Sequence, residues 1–458
     1  MIAMFAPRWI LGLLALCVLV SLVVTTVYAA PVAQESPPAL FSEDDLQAAA
    51  VPGSDPDVRR ARLAQVHLDL LTSVTTASSG TAHSTVILNL FADARYVALL
   101  DHVEYLATGG YAWVGRLENE GLSQVIFVVD EGITTATISL PGAMFQIRPV
   151  DGGFHAIEEV NSVAMPRDVH LPAPPPEDVG AAAPLVPSAA SDDGSLIDVM
   201  ILYTADARAA AGGTTAIEAV VNQSIVQTNS AFANSGVNPR LRLVHTAEVA
   251  YAEAGFETDL DRLRRTTDGY LDQVHTLRDQ YGADLVSLLV RSNTYCGIAY
   301  VTMRADVAFS VVYYNCAAKF GMAHELGHNL GAYHDWFVDD QRGGAPGGLS
   351  DNHGWVNYAG NWRTIMSYGD YCYRQSPVKY CNPIAYFSNP NLTYSGSALG
   401  LRAGSDSSCR VGDLSRPPSC DADNARVFNV NAASVANYRQ SKSAPTTPAP
   451  TPTPGAPT

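Results

Sequence analysis

The 458-residue sequence predicts an α/β (α+β) domain, a mixed twisted sheet with a histidine-bearing helix, preceded by a smaller β-rich N-terminal domain. Three observations carry this prediction. Beyond about residue 195, apolar strands alternate with helical patterns in the order β-α-β-α-β-β-β-α, which places helices against a sheet. Before that, apolar residues recur mainly with period two. The two regions are separated by Pro172, Ala173, Pro174, Pro175 and Pro176 and by Ala/Ser/Asp-rich chain up to Ser195, a composition that reads as a linker.

In chain order, Arg8 precedes an apolar run over 9–24, and Val27, Tyr28 and Ala29 suit cleavage after Ala29, so 1–29 reads as a secretory signal. An uncleaved membrane anchor is the alternative, since the run approaches the shortest spanning length. Region 30–190 reads as a propeptide-like β-rich segment, with a helix expected over 58–71 and strands over 86–90, 123–129 and 134–140. The main domain, 191–440, opens with a strand at 197–203. A helix at 215–234 follows, whose Ile217, Val220, Val221, Ile225 and Phe232 mostly recur at helical spacing. Next come a strand at 241–244, a helix over 260–281, strands at 285–290, 297–301 and 309–313, and the histidine-bearing helix. The Thr/Pro-rich tail 441–458 has no apolar pattern and fits an extended spacer that could hold the domain at a cell surface.

With 47% hydrophobic residues and a formal charge of −17, the chain can bury a large core and would repel nucleic acid and anionic membranes. No nucleic-acid partner is expected, and no membrane once the signal is removed. The sequence does not fix an oligomeric state. Cys17 leaves with the signal, and the six remaining cysteines fit an exported, disulfide-bonded chain. Proximity favours pairing Cys296 with Cys316, Cys372 with Cys381 and Cys409 with Cys420.

The decisive string is His324, Glu325, Leu326, Gly327, His328, Asn329, Leu330, Gly331, Ala332, Tyr333, His334, Asp335. Histidines four apart share one helix face and can reach one ion, with Glu325 beside a water on it. Gly331 lets the chain leave the helix in a conformation costly for other residues, returning His334 to the same point. Three imidazoles leave a fourth position open, as in a catalytic rather than a structural zinc site. In this composition H-E-x-x-H alone arises by chance on the order of 10⁻² times, and on the order of 10⁻⁶ with Gly331, His334 and Asp335 added.

The extended string resembles metzincin zinc peptidases, whose second signature is a methionine-containing turn beneath the metal. Met366, within Thr364, Ile365, Met366, Ser367 and Tyr368, is the matching residue, and Asp335 after the third histidine resembles the adamalysin (reprolysin) branch. Gly297, Ile298, Ala299 and Tyr300 look like that branch's edge strand, which pairs with the substrate backbone. The runs at 197–204, 281–290 and 361–366 are similar to bacterial peptidyl-Asp metalloendopeptidases. This resemblance implies one catalytic Zn²⁺, Glu325 as general base, protein or peptide substrates, and cleavage on the amino side of Asp or Glu. Tyr368 departs from the adamalysin pattern and resembles the astacin and serralysin tyrosine, a candidate ligand or oxyanion donor.

An acidic preference needs a cation near the cleft, for which Arg374, Lys379 and Arg402 are candidates. If 30–190 keeps the peptidase latent, no cysteine there can block the metal, so His155, Asp168 or His170 would have to. A carbohydrate- or protein-binding β-domain is the other reading of that region. For the whole chain the competing functions are a zinc amidase or deacetylase acting on cell-wall material and a non-catalytic binding module.

Overall fold

The computed structural model describes residues 36–43, 55–72, 84–175, 192–339, 351–402, 404 and 420–442. The expected signal, most of the tail and Cys409 lie outside the described residues.

Short turns connect most of the N-terminal strands, and they zip into an antiparallel sheet. Its strands are β1 (Val58–Ala64), β2 (Thr85–Phe91), β3 (Ala94–Tyr105), β4 (Tyr111–Leu117), β5 (Gln124–Asp130), β6 (Ile133–Leu140), β7 (Ala143–Pro149) and β8 (His155–Val160). Their order is β1-β8-β7-β6-β5-β4-β3-β2. Here the expected helix over 58–71 is corrected: the stretch forms β1, paired with β8, and only Asp69–Thr72 is helical. The buried Arg62 side chain explains the difference, because its guanidinium donates to the carbonyls of Leu90 and Asn89 at 2.6 Å each. Such tertiary partners override local helical spacing.

The second sheet contains β9 (Val169–Pro172), β10 (Leu196–Thr204), β11 (Arg240–Val249), β12 (Leu285–Val290), β13 (Gly297–Val301) and β14 (Phe309–Tyr313), in the order β11-β10-β12-β14-β13-β9. It is mixed: β11, β10, β12 and β14 run parallel, β13 is antiparallel to β14, and β9 is parallel to β13. The linker-like composition therefore begins inside the sheet, where Pro172 ends β9 opposite Val301. An edge strand tolerates proline because one side of its backbone needs no partner.

Alternation along β10 divides the core. Val199 and Ile201 pack with Ile217, Val221 and Phe232 of helix α1 (Thr214–Ser235). Met200 and Leu202 face Phe256, Leu260 and Val274 on the other side. Those residues belong to α2 (Phe256–Arg264) and α3 (Gln273–Tyr281), two helices where one was expected. Between them the amides of Asp268 and Gly269 donate to the Asp272 carboxylate at 3.1 and 3.0 Å. Side-chain capture of backbone groups competes with the helical ladder.

Helix α1 also meets the N-terminal sheet. Val226 packs on Ala112, Val114, Ile126 and Val128, while Gln223 donates to the Thr137 hydroxyl (2.8 Å), which donates to the Ala318 carbonyl (2.7 Å). Ala318 precedes helix α4 (Met322–Asn329), all of whose residues are buried. The adjacent Lys319 forms a buried ion pair with Asp57 at 2.8 Å. Two disulfides, Cys296–Cys316 and Cys372–Cys381, are present as sequence proximity favoured.

Candidate active site

Helix α4 sets His324 and His328 one turn apart on one face. It stops where Gly331 turns to φ +96°, a conformation that favours glycine, and the Gly331 amide bonds back to the His328 carbonyl at 2.9 Å. The chain then brings His334 round. The three Nε2 atoms converge: His324 to His328 is 3.1 Å, and His334 stands 3.0 Å from each.

The outer nitrogens settle the protonation of two rings. His324 Nδ1 lies 2.9 Å from the Ile365 carbonyl and His328 Nδ1 2.8 Å from the Ala332 carbonyl. A carbonyl only accepts, so both Nδ1 atoms carry the proton and both Nε2 atoms present lone pairs. Burial holds His324 well below its ordinary pKa and His328 down at about 4, so neither ring readily takes a second proton. Facing lone pairs at this separation repel unless a cation sits between them. Ligands 2.0–2.1 Å from a tetrahedral zinc ion stand about 3.3 Å apart, and the observed triangle fits that spacing after slight expansion.

His334 Nδ1 faces the Asp339 carboxylate at 3.3 Å, and its backbone amide donates to the same group. His170 stands on that outer side, Nδ1 to Nδ1 at 3.2 Å. His170, His328 and His334 thus also form a grouping compact enough for a metal, as do Asp168, His324 and Glu325. The convergent Nε2 atoms make the triad of His324, His328 and His334 the better-directed donor set.

Glu325 is fully buried, and neither carboxylate oxygen has a hydrogen-bond partner. Gly297 lies directly against it: a Cβ there would stand 2.4 Å from Glu325 Oε1, so the edge strand comes this close only as glycine. Asp168 Oδ2 is 3.8 Å from His324 Nε2, and its Oδ1 is buried without a partner. Burial, with Asp168 beside it, pushes Glu325 well above the carboxylate range. Burial raises Asp168 to about 7, against the pull of the Arg363 guanidinium. The unpaired, buried Glu325 carboxylate and the partly buried Asp168 carboxylate beside the three Nε2 atoms again form an environment suited to a cation.

Beneath α4, Met366 is buried with its sulfur facing Gly327. Asp335 ties the two loops together, accepting from the Phe337 amide (3.1 Å) and the Tyr368 amide (2.8 Å). Burial raises it to about 7. The Tyr368 hydroxyl lies 3.3 Å from His334 Nε2 and donates to the Asp168 carbonyl at 2.6 Å. On the rim, Ile298, Ala299 and Tyr300 of β13 are paired in register with Val169, His170 and Leu171 of β9.

The cations named from sequence are engaged elsewhere. Arg374 covers the Phe337 ring, Lys379 donates to the Tyr358 and Ala359 carbonyls, and Arg402 donates to Asn391. Arg363 is the cation whose field reaches Asp168, Asp335 and Tyr368; it donates to the Ser367 carbonyl, while its Nε is buried without a partner. His155 lies in β8 and is not among the residues grouped at the triad, whereas Asp168 and His170 are. Sequence reasoning also missed Asp339, five residues beyond His334, and His353, whose Nδ1 lies 2.7 Å from the His334 carbonyl.

A buried group of three convergent imidazoles, beside an unbonded carboxylate and strand β13, has the chemistry of a metal-dependent hydrolase. Residues 195–400 match the metallo-peptidase family M12B, reprolysin-like. Over 426 residues the chain is 29% identical to a peptidyl-Asp metalloendopeptidase of Stenotrophomonas maltophilia, covering 87% of this chain and 94% of the relative. A second S. maltophilia relative of that name is 30% identical, covering 75% of this chain and 81% of its own. A third, from Xanthomonas campestris pv. campestris, is 30% identical, covering 74% and 78%. The chain belongs to the reprolysin-like M12B metallopeptidases and is a zinc-dependent endopeptidase acting on peptide or protein substrates.

Proposed function

We propose that the chain is a secreted endopeptidase with a metzincin-type site, in which His324, His328 and His334 hold one zinc ion, Glu325 is the general base, and bonds on the amino side of acidic residues are preferred. The observation that carries the metal assignment is the convergence of three Nε2 atoms to within 3.1 Å of one another. Zinc held there would polarise a substrate carbonyl and acidify a water. The chain's residues do the rest. Glu325, unpaired beside His324, takes the water's proton and delivers it to the departing amine nitrogen. Tyr368 has its hydroxyl beside the triad, where it can donate to the oxygen that gains negative charge. Edge strand β13 aligns a substrate by backbone hydrogen bonds, as it now pairs with β9. Met366 and Asp335 fix the floor and the loop of the third histidine.

The acidic preference has two supports: the name the relatives share, and Arg363, a half-buried cation near Asp168 whose Nε–H has no partner. Secretion is supported by the 1–29 signal pattern and by two disulfides, which persist in oxidising compartments. Among the described residues no helix is long and apolar enough to cross a membrane. On this reading 191–440 is the peptidase domain and 441–458 a spacer. The deciding experiment is hydrolysis of a protein substrate with and without a chelator, with sequencing of the products. Chelator-sensitive cuts before Asp or Glu are expected; chelator-resistant hydrolysis, or release of acetate or wall fragments instead of peptides, would overturn the proposal.

A further inference from the structure

We infer that Asn329 is a positioning residue for peptide hydrolysis: its side-chain amide, shared between carbonyls of β13 and β14, fixes the substrate-aligning strand against the helix that carries Glu325 and two of the histidines. The inference rests on the zinc peptidase reading above and adds a residue that acts through β13 rather than on the substrate itself.

Asn329 ends α4, directly after His328, and is fully buried. Its Nδ2 donates to the Tyr300 carbonyl at 3.0 Å and to the Phe309 carbonyl at 3.3 Å, one hydrogen for each. A carbonyl only accepts, so the amide must face both strands with its nitrogen. The two carbonyls stand at the end of a ladder. Strands β13 and β14 pair in register at Gly297 with Val312, Ile298 with Val311 and Ala299 with Ser310, and the next residues to oppose one another are Tyr300 and Phe309. There the Asn329 amide bridges the two strands and ties their ladder to the last turn of the helix.

A backbone contact supports the same end, since the Thr302 amide donates to the His328 carbonyl at 3.3 Å. The other end of β13 has no such tie to the helix. Gly297 packs against Glu325, whose carboxylate has no hydrogen-bond partner. Among the described residues no other side chain of α4 hydrogen-bonds to β13: the His324 ring faces the Ile365 carbonyl and the His328 ring the Ala332 carbonyl. The height of the strand over Glu325 and the metal ligands is therefore set from the Asn329 end.

Packing alone gives no reason for an amide at this position. The Asn329 Oδ1 is buried without a partner, a cost that an apolar side chain of similar volume would not carry. What the amide adds is its pair of donors, and both are spent on strand carbonyls. A substrate that pairs with β13 inherits the height of that strand, and with it the distance from its scissile carbonyl to the metal and to Glu325. A misplacement of about 1 Å at this point can cost about a hundredfold in rate.

The test compares the active secreted enzyme in wild-type, Asn329→Leu and Asn329→Ala forms, with intact mass showing the same N-terminus in each. Asn329→Leu keeps most of the volume while removing both donors, so it is the variant expected to fold. Two Asp-containing substrates are used: a peptide of about eight residues, long enough to pair along β13, and a blocked dipeptide that is not. Per zinc-loaded chain, the long peptide should lose at least about tenfold in kcat in both variants with KM little changed, and the dipeptide less than about twofold. Zinc content and the affinity for acetohydroxamate, a probe that needs only the metal, should match the wild type. Equal kcat losses on the two substrates, as a general weakening of the fold would give, would overturn the inference. So would a loss confined to KM, weakened zinc or hydroxamate binding, full activity in Asn329→Leu, or failure of both variants to fold. A wild-type enzyme without chelator-sensitive hydrolysis would instead sink the zinc peptidase reading.

Discussion

The Tyr368 hydroxyl donates a 2.6 Å hydrogen bond to the backbone carbonyl of Asp168, 200 residues away in sequence. This one contact joins the methionine turn to the N-terminal region at the centre of the site. The tyrosine proposed to stabilise a developing negative charge is already committed, so substrate hydrolysis requires that this bond break. It also places a carboxylate beside Glu325 and His324, which only a cation makes comfortable.

Glu325→Gln should leave zinc near one per chain while lowering turnover by at least about a hundredfold, the low end of general-base contributions. The side chain makes no structural hydrogen bond whose loss would confuse the result. Metal analysis alongside a peptide assay on the mature chain checks it, and full activity would remove Glu325 from the mechanism.

His334→Ala should lose zinc outright, because two imidazoles do not complete the site. Asp339→Asn is the finer probe. Asp339 holds His334 through both its ring and its backbone amide, and weakening such a support typically lowers metal affinity about ten- to a hundredfold. Competition with a chromogenic chelator measures both, and unchanged affinity in Asp339→Asn would mean the ring is oriented by His170 or His353 instead.

Much of this site was legible before the fold. The histidine string and Gly331 are local, since a helix face and one left-handed residue follow from spacing alone. Met366 and Tyr368 were legible through resemblance. Arg363, Asp339 and His353 were not, because their relation to the site arises from loops whose course no linear period encodes. Asp168 was one of three equal candidates in sequence, and only the parallel pairing of β9 with β13 separates it from His155. In the fold, the strongly apolar strands were readable. The stretch over 58–71 was not, because Arg62, a long polar residue, is buried there by carbonyls from β2.

Arg363→Gln should erode selectivity rather than catalysis. A hydrogen bond from a charged donor is worth about 1.5–3 kcal/mol, so the kcat/KM ratio for Asp- against Asn-containing peptides should fall by roughly ten- to a hundredfold. Most of that change is expected in KM for the acidic peptide, with the neutral peptide little affected. Arg363→Lys, which keeps charge but loses the planar fork, should be intermediate. Equal losses on both peptides would assign Arg363 to holding the Ser367 turn instead.

The last prediction concerns the rim. Cys296 immediately precedes β13, and Cys316 lies just before the irregular turn, Ala317–Gly321, that leads into α4; their disulfide closes a 20-residue separation. It therefore ties the substrate edge to the helix bearing His324, Glu325 and His328. Closing a loop of that length stabilises by about 3 kcal/mol through the unfolded state, and here it also fixes two parts of the cleft. Cys296→Ser or Cys316→Ser should lower both thermal stability and turnover on every peptide. Cys372–Cys381 closes a separation of 9 residues beyond the methionine turn and touches neither β13 nor α4, so its removal should shift substrate preference more than overall turnover. Thermal denaturation and a small peptide panel, run on both pairs of variants, distinguish the two bridges. Equal effects on selectivity would show that the rim bridge acts only through global stability.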